Sequence, residues 1–326
     1  MGQLIKLQDY VSRYEIDPFR YPAQYVRLKK QQWNKLMLQW ENRFHDDQSI
    51  VLESTKNENV NKKNPGRIKR LFQRSSIGQE DAVKEPALQQ ESIFQFSPKL
   101  TYYPESIEEL KQIFLDQLYT FQMKWASSTV FEKSFIKQSY YRNEKLKYFL
   151  QYFPDTFLFL YEPIFLLKKA PIEMEVILIT PTEVWCLVFL EEDKDSVFLG
   201  SNERFWTKRT NRSESKILNP FISLNRMSKI IQPLLSHNHL DIPLKKGIIS
   251  RNGYIDYPTS PADVELLEKR NYPKWFEQQR SLQSPLKHIQ LKTAKILLDY
   301  CQTICTRRSE WNEQSLPSEQ MGEMDR

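Results

Sequence analysis

Two apolar runs joined by a short turn constrain the fold of this chain more than any other feature of its sequence. Residues 173–181 read EMEVILITP, and residues 184–191 read VWCLVFLE. Uninterrupted runs of this kind, rich in β-branched and aromatic residues, predict strands that are buried on both faces. Residues 156–161 (TFLFLY) are a third such run. Because strands of this type need helices on both sides, we predict an α/β fold with a mixed central sheet flanked by helices.

The composition excludes several common classes of enzyme. Of 326 residues only 7 are Gly, and neither GxxxxGK[ST] nor GxGxxG occurs. Nucleotide-binding loops need such glycines because the backbone must approach the phosphates closely. The chain has 47 Lys and Arg against 41 Asp and Glu, a formal net charge of +6. This excess is a slight bias toward acidic partners such as nucleic acid.

The cysteines and the hydropathy pattern predict a cytoplasmic protein without a cofactor. The three cysteines are Cys186, Cys301 and Cys305, and only 4 His residues could join them as metal ligands. We therefore expect free thiols in a reducing compartment, no cofactor and no metal site. No run of about 18 apolar residues occurs, so we expect no association with a membrane.

Changes in composition predict the organisation of the chain. We expect a helical N-terminal arm (1–45), a disordered polar and basic linker (46–98), an α/β core (99–240), an α+β C-terminal extension (241–310) and a flexible tail (311–326). Within the core, short strands near 197–199 and 204–207 are expected to complete the sheet, and residues 220–235 a helix packed on it. In the extension, alternating residues around an Asn-Gly turn predict a hairpin over 247–257.

The N-terminal arm holds two apolar patterns with helical spacing. The first recurs at Leu4, Leu7, Val11 and Tyr14. The second, over residues 23–44, interleaves Trp33 and Trp40 with basic residues. This second helix is either a surface for nucleic acid or a protein partner, or an amphipathic helix whose apolar stripe docks on the core.

The linker contains the densest basic run of the chain. Its cations are Lys62, Lys63, Arg67, Lys69, Arg70 and Arg74. Clusters of this kind in flexible segments often contact phosphates without sequence preference. The run is thus a candidate nucleic-acid-binding segment, and the alternative is a solubilising tether.

Glu175 at the start of one predicted strand is followed, after the next strand, by Trp206 and then by the pair Asn219-Pro220. This order resembles the NERD (nuclease-related) domain, a branch of the restriction-endonuclease-like PD-(D/E)xK folds. There an acidic residue lies on the first strand, ExK on the second, and a tryptophan and an Asn-Pro pair follow. The resemblance covers residues 140–235 and implies a restriction-endonuclease-like core.

The resemblance also implies a nuclease chemistry that this chain has lost. In PD-(D/E)xK nucleases, carboxylates on neighbouring strands hold a divalent metal and a lysine supplies positive charge near the attacking water. Here Val188 and Leu190 occupy the Glu and Lys positions of ExK. Neither side chain can bind a hard cation, which takes oxygen ligands. The leading expectation is a catalytically silent module that binds nucleic acid or acts as a scaffold, with no metal.

Two other functions stay open. A divergent metal-dependent nuclease could bind Mg²⁺ or Mn²⁺ through Glu144 on the preceding helix, Glu175 and a migrated Glu191, with Lys194 as the cation. A β-bulge would have to rotate Glu191 onto the face of the site. Alternatively, the chain is a protein-interaction factor that docks through the helix containing Trp33 and Trp40.

Overall fold

The computed structural model describes residues 1–54, 95–191, 194–258 and 262–308, with the side chains of the long N-terminal helix described as far as residue 42. The strands are β1 (Gln3–Leu7), β2 (Glu132–Lys133), β3 (Leu158–Tyr161), β4 (Ile164–Leu167), β5 (Ala170–Glu173), β6 (Val176–Ile179), β7 (Val184–Phe189), β8 (Val197–Leu199), β9 (Phe205–Arg209), β10 (Glu214–Leu218), β11 (Leu244–Ser250), β12 (Tyr254–Asp256), β13 (Val264–Glu268) and β14 (Thr306–Arg307). The helices are α1 (Arg13–Ile16), α2 (Arg20–Ser54), α3 (Ile107–Trp125), α4 (Gln138–Tyr141), α5 (Glu144–Tyr152), α6 (Pro220–His237), α7 (Tyr272–Ser281) and α8 (His288–Asp299).

Six strands form a central mixed sheet in the order β1-β3-β6-β7-β11-β13. β3, β6 and β7 are an antiparallel meander, whereas β1 runs parallel to β3 and β11 runs parallel to both β7 and β13. All of β3 and β6, and all but the last residue of β7, are buried. The predicted doubly buried strands are confirmed, and so is the mixed sheet.

Helices cover both faces of this sheet. Trp185 of β7 contacts Trp275 of α7, with ring centroids 5.6 Å apart, and Phe189 contacts Phe149 of α5 at 4.9 Å. Alternate residues of a strand point to opposite faces, so the even-numbered residues of β7 face the other side. There α6 packs on β7 and β11 and also contacts α8. The predicted helical flanks are confirmed.

A second sheet, in the order β10-β9-β8-β12, packs beside the start of α6. Trp206 of β9 is buried, and its ring lies 5.5 Å from the rings of both Phe221 and Tyr257. Gly200 lies against the same cluster, where a Cβ atom would come within 2.3 Å of Tyr257 Cδ2 and 3.1 Å of the Trp206 ring. The close approach of these rings therefore requires a residue without a side chain at position 200.

The prediction of a wholly helical N-terminal arm is wrong at its beginning. Residues Gln3–Leu7 form β1, an edge strand of the central sheet, and α1 spans only Arg13–Ile16. All five residues of β1 are buried. The strand therefore lacks the alternation that marks a half-exposed strand, and its apolar spacing resembles that of a helix.

Three further predictions need correction. The boundaries at residues 45 and 240 do not separate independent units, because the central sheet includes β1 from the arm and β11 and β13 from the extension. The strands near 197–199 and 204–207 belong to the second sheet. The hairpin predicted over 247–257 is wrong, because β11 pairs with β7 and β13 whereas β12 pairs with β8. The Asn-Gly segment therefore carries the chain from one sheet to the other.

α2 docks its apolar stripe on the body of the protein. Leu36 is buried, and the ring of Trp33 lies 5.3 Å from that of Phe114 on α3. The indole Nε1 of Trp40 donates to the carbonyl oxygen of Pro104 at 2.9 Å. Of the two interpretations of this helix, the amphipathic one is confirmed for its apolar side.

α2 continues to Ser54, past the expected start of the linker. The rest of the predicted linker as far as residue 94, with its basic run, lies outside the described residues, and so does the predicted tail. Among the described helices, none combines the length and the apolar character that crossing a bilayer requires.

A buried lysine ties β1 to its surroundings. The side chain of Lys6 is fully buried, and its Nζ donates to the carbonyl oxygen of Tyr10 at 2.9 Å and to Thr303 Oγ1 at 2.8 Å. Its charge is compensated by Glu15, whose other carboxylate oxygen accepts from the backbone N–H of Ser12 at 2.8 Å. Glu15 is 20% exposed. Both halves of the pair are thus hydrogen-bonded, as a buried ion pair requires.

We expect Glu15→Ala to lower the free energy of unfolding by about 3–5 kcal/mol, because it leaves the charge of Lys6 buried without a partner. Lys6→Met should cost less, because the partly exposed Glu15 can then be hydrated. Urea denaturation followed by tryptophan fluorescence checks both variants. Equal losses would contradict the argument, since they would mean that leaving the charge of Lys6 buried without a partner costs no more than removing that charge.

Candidate functional site

The acidic position of the motif lies at the start of β6, on the face covered by α6. Val176 pairs with Leu187 in the antiparallel β6–β7 ladder. The same register sets Glu175 opposite Val188, so these two side chains share one face of the sheet. Ser223, at the end of the first turn of α6, reaches over this face and hydrogen-bonds to the Glu175 carboxylate.

The electrostatic environment of Glu175 is balanced between opposing charges. Burial raises the pKa of its carboxyl, and the negative charge of Glu162 raises it further. The hydrogen bond from Ser223 and the positive charges of Arg226 and Lys145 lower the pKa but do not cancel that rise. The net effect is a half-buried carboxyl that holds a proton to higher pH than an ordinary glutamate.

Glu162 is the second carboxylate of the site. Its backbone N–H donates to the carbonyl oxygen of Glu175 at 2.9 Å, and its carboxylate accepts from the hydroxyl of Tyr140 at 2.7 Å. Glu162 adopts a left-handed backbone conformation, with φ of 50°. This strained turn between β3 and β4 holds the carboxylate beside Glu175.

The remaining surface of the site is apolar. Cys186 and Val188 of β7 are buried and lie on the same face of the sheet as Glu175. Burial raises the pKa of the Cys186 thiol to about 12, so it stays protonated at neutral pH. Leu190 follows just beyond the strand and is half-buried. The face that would hold ExK therefore offers no oxygen or nitrogen ligand of its own.

Glu191 is held away from this face. Both of its carboxylate oxygens accept from the guanidinium of Arg251, from Nη2 at 2.7 Å and from Nε. That guanidinium lies over the ring of Tyr148 on α5, 4.2 Å from its centroid. Glu191 thus takes part in an ion pair on the α5 side of the sheet, opposite to the side of Val188.

The other two residues of the predicted catalytic set are exposed. Glu144 is the first residue of α5, next to Lys145, and Lys194 lies in the turn before β8. The structure brings Glu175 together with Ser223 and Lys145 but not with Glu191.

Among the described residues, no group of three or more His, Cys, Asp or Glu side chains could hold a metal ion. The predicted nucleic-acid-binding cations of residues 62–74 lie outside the described part of the chain.

Sequence reasoning missed Glu162 and Arg226. Glu162 directly follows the apolar run of β3. An acidic residue at the exit of a buried strand is a usable signal, because strand ends line up at the edge of a sheet. Arg226 follows Ser223 at a spacing of i, i+3 on α6, so the two residues share one face of the helix. Nothing in the local sequence distinguishes Arg226 from a surface arginine.

Comparison with known proteins gives one short similarity. A curated protein from Geobacillus stearothermophilus described as an RNA 2′,3′-cyclic phosphodiesterase is 51% identical over 41 residues. The match covers 13% of this chain and 13% of that protein. No protein-family model matches the chain. No solved structure matches it either.

We expect Glu175→Gln to be at least as stable as the wild type at pH 7.5. A raised carboxyl pKa means that ionising Glu175 costs stability above that pKa. The cost is relieved as the pH falls, and it is absent below the ordinary value of 4.5. The difference in unfolding free energy between variant and wild type should therefore shrink from pH 7.5 toward pH 4.5. Urea denaturation across this range measures it, and a variant that is less stable at pH 7.5 would contradict the direction.

Proposed function

We propose that this chain is a catalytically silent NERD-like module that binds nucleic acid or acts as a scaffold. One observation carries the proposal. Glu175 stands opposite Val188 on the face where a PD-(D/E)xK nuclease places its acid and its ExK motif, and the ExK positions are apolar. β7 supplies neither a carboxylate nor a lysine to this face, so the ExK half of the metal site of such nucleases is missing.

The order of elements supports a restriction-endonuclease-like core. α5 is followed by the β3–β6–β7 meander, then by α6, and then by β11 parallel to β7. Asn219 caps α6: its side chain accepts from the N–H of Phe221 at 3.0 Å and donates to the carbonyl oxygen of Glu203 at 2.7 Å. The Asn-Pro pair thus anchors the second sheet to the helix that covers the site, which is a structural reason to keep it after catalysis is lost.

The divergent-nuclease alternative has less support. It needs Glu191 beside Glu175, whereas Glu191 forms a bidentate pair with Arg251 on the other side of the sheet. Glu162, not Glu191, is the carboxylate next to Glu175. Under the proposal, no cofactor is required and the module works in the cytoplasm.

A cleavage and binding assay tests the proposal. Purified full-length protein is incubated with labelled single- and double-stranded DNA and RNA, in Mn²⁺ and in EDTA, and the products are resolved on denaturing and native gels. We expect a salt-sensitive shift that is equal in Mn²⁺ and EDTA, with no cutting. Cutting that needs the metal would overturn the silent-module proposal in favour of the nuclease, and the absence of any shift would overturn nucleic-acid binding.

Glu175→Ala separates the two functions further. A silent module should bind nucleic acid within about twofold of the wild type, because Glu175 contributes no cation to phosphate contacts. If metal-dependent cutting is present, the variant should abolish it, because the remaining carboxylate alone cannot hold the metal. Gln at the same position serves as the isosteric control for folding.

A further inference from the structure

A cleft of about 780 Å³ lies between four helices and includes none of the residues of the Glu175 site in its lining. It is lined by α2, by the first turns of α3, by the C-terminal end of α5 and by the last turn of α7. Its volume is in the range of pockets that hold a ligand of nucleotide size. Lys145 of the Glu175 site and Tyr152 of the cleft lie about 10 Å apart along the axis of α5, so the two sites are distinct.

Cations from three helices converge on this cleft. Lys30 of α2, Lys111 of α3 and Arg280 of α7 all line it and are exposed. Within the described residues, none of the three forms an ion pair with a carboxylate. Like charges that line one concave cleft focus a positive potential there, which an anionic ligand relieves.

The acidic residues of the cleft do not neutralise it. Asp155 is paired with Lys29, a fourth cation of the lining. Glu108 is exposed at the rim, at the start of α3. Four cations against two carboxylates leave a local excess of positive charge. Among the residues that the structure describes, Lys29 alone of the four cations is paired with an acid.

Aromatic rings stand among these cations. Tyr152 is 46% exposed, and Trp33 is half-buried. Both line the cleft. Bases stack on aromatic side chains whatever their sequence, because every base has a π-face. In a duplex those faces are already stacked on neighbouring bases, so this combination favours an unpaired strand over a duplex.

We propose that this cleft binds a segment of single-stranded nucleic acid. The phosphates contact Lys30, Lys111 and Arg280, and a base stacks on the exposed ring of Tyr152. The inference rests on the proposed nucleic-acid-binding function and assigns it to a surface other than the degenerate nuclease face. The apolar side of α2 docks on the body of the protein, and its basic edge serves the ligand.

The test compares two double variants of the full-length protein. Lys30→Gln/Lys111→Gln removes two cations of the cleft, and Lys35→Gln/Lys274→Gln removes two exposed cations outside it, on α2 and α7. Binding of a fluorescein-labelled oligo(dT) and of oligo(rU) is followed by anisotropy at several salt concentrations, with an unlabelled duplex as competitor. Thermal unfolding verifies that both variants keep the wild-type fold.

We expect the cleft variant to lose about tenfold or more in affinity for the single strands, with the slope of log K against log salt reduced by about 1.4. The control variant should stay within about threefold of the wild type. Tyr152→Leu should lower the affinity at least about fivefold without changing the salt slope, because it removes stacking and no charge.

The failures of the two proposals are distinguishable. If the wild type binds single strands but the cleft and control variants behave alike, the ligand lies elsewhere and only the cleft inference falls. If the duplex competes as well as a single strand and Tyr152→Leu has no effect, the stacking arrangement is wrong. If the wild type binds no nucleic acid, the proposed nucleic-acid binding and the cleft inference are both overturned.

Discussion

Burial of the β3–β6–β7 meander on both faces is the interaction on which the other parts of this structure depend. Each strand is an uninterrupted apolar run, so both faces of the sheet are apolar and their contact with water would be unfavourable. α5 and α7 remove one face from water through aromatic contacts, and α6 removes the other. The residues at the strand ends are then fixed at the edge of a rigid core.

This rigidity explains the character of the Glu175 site. A carboxyl at the start of a buried strand cannot move into solvent, so its charge must be compensated where it lies. Ser223, Arg226 and Lys145 supply that compensation from two helices, and Glu162 opposes it. A carboxylate pair with these neighbours is tolerable as a structural feature of the fold and needs no bound metal to persist.

The two proposed sites divide the molecule between the ends of α5. Its N-terminal end belongs to the Glu175 site, and its C-terminal end contributes Tyr152 to the basic cleft. The Glu175 site has nearly equal numbers of positive and negative groups, whereas the cleft has an excess of cations. On electrostatic grounds, an anionic ligand is attracted to the cleft rather than to the acids, so the binding proposed for the cleft does not depend on any chemistry at the Glu175 site.

The sequence determined the doubly buried strands, the helix α6 and the position of Glu175, because each depends on a local pattern: an apolar run, a helical spacing of apolar residues, or an acid beside a strand. It also identified Val188 and Leu190 as apolar where a nuclease needs ligands. It could not determine that residues 3–7 form an edge strand, because a strand buried along its whole length has no alternation to reveal it. It could not determine that β11 and β12 enter different sheets, because a turn signal does not specify the partner of the strand that follows.

Only the tertiary structure paired Glu191 with Arg251, brought Glu162 to Glu175 and gathered Lys30, Lys111 and Arg280 around one cleft. These contacts join residues far apart in sequence, and their geometry is set by the packing of the whole core rather than by any local segment.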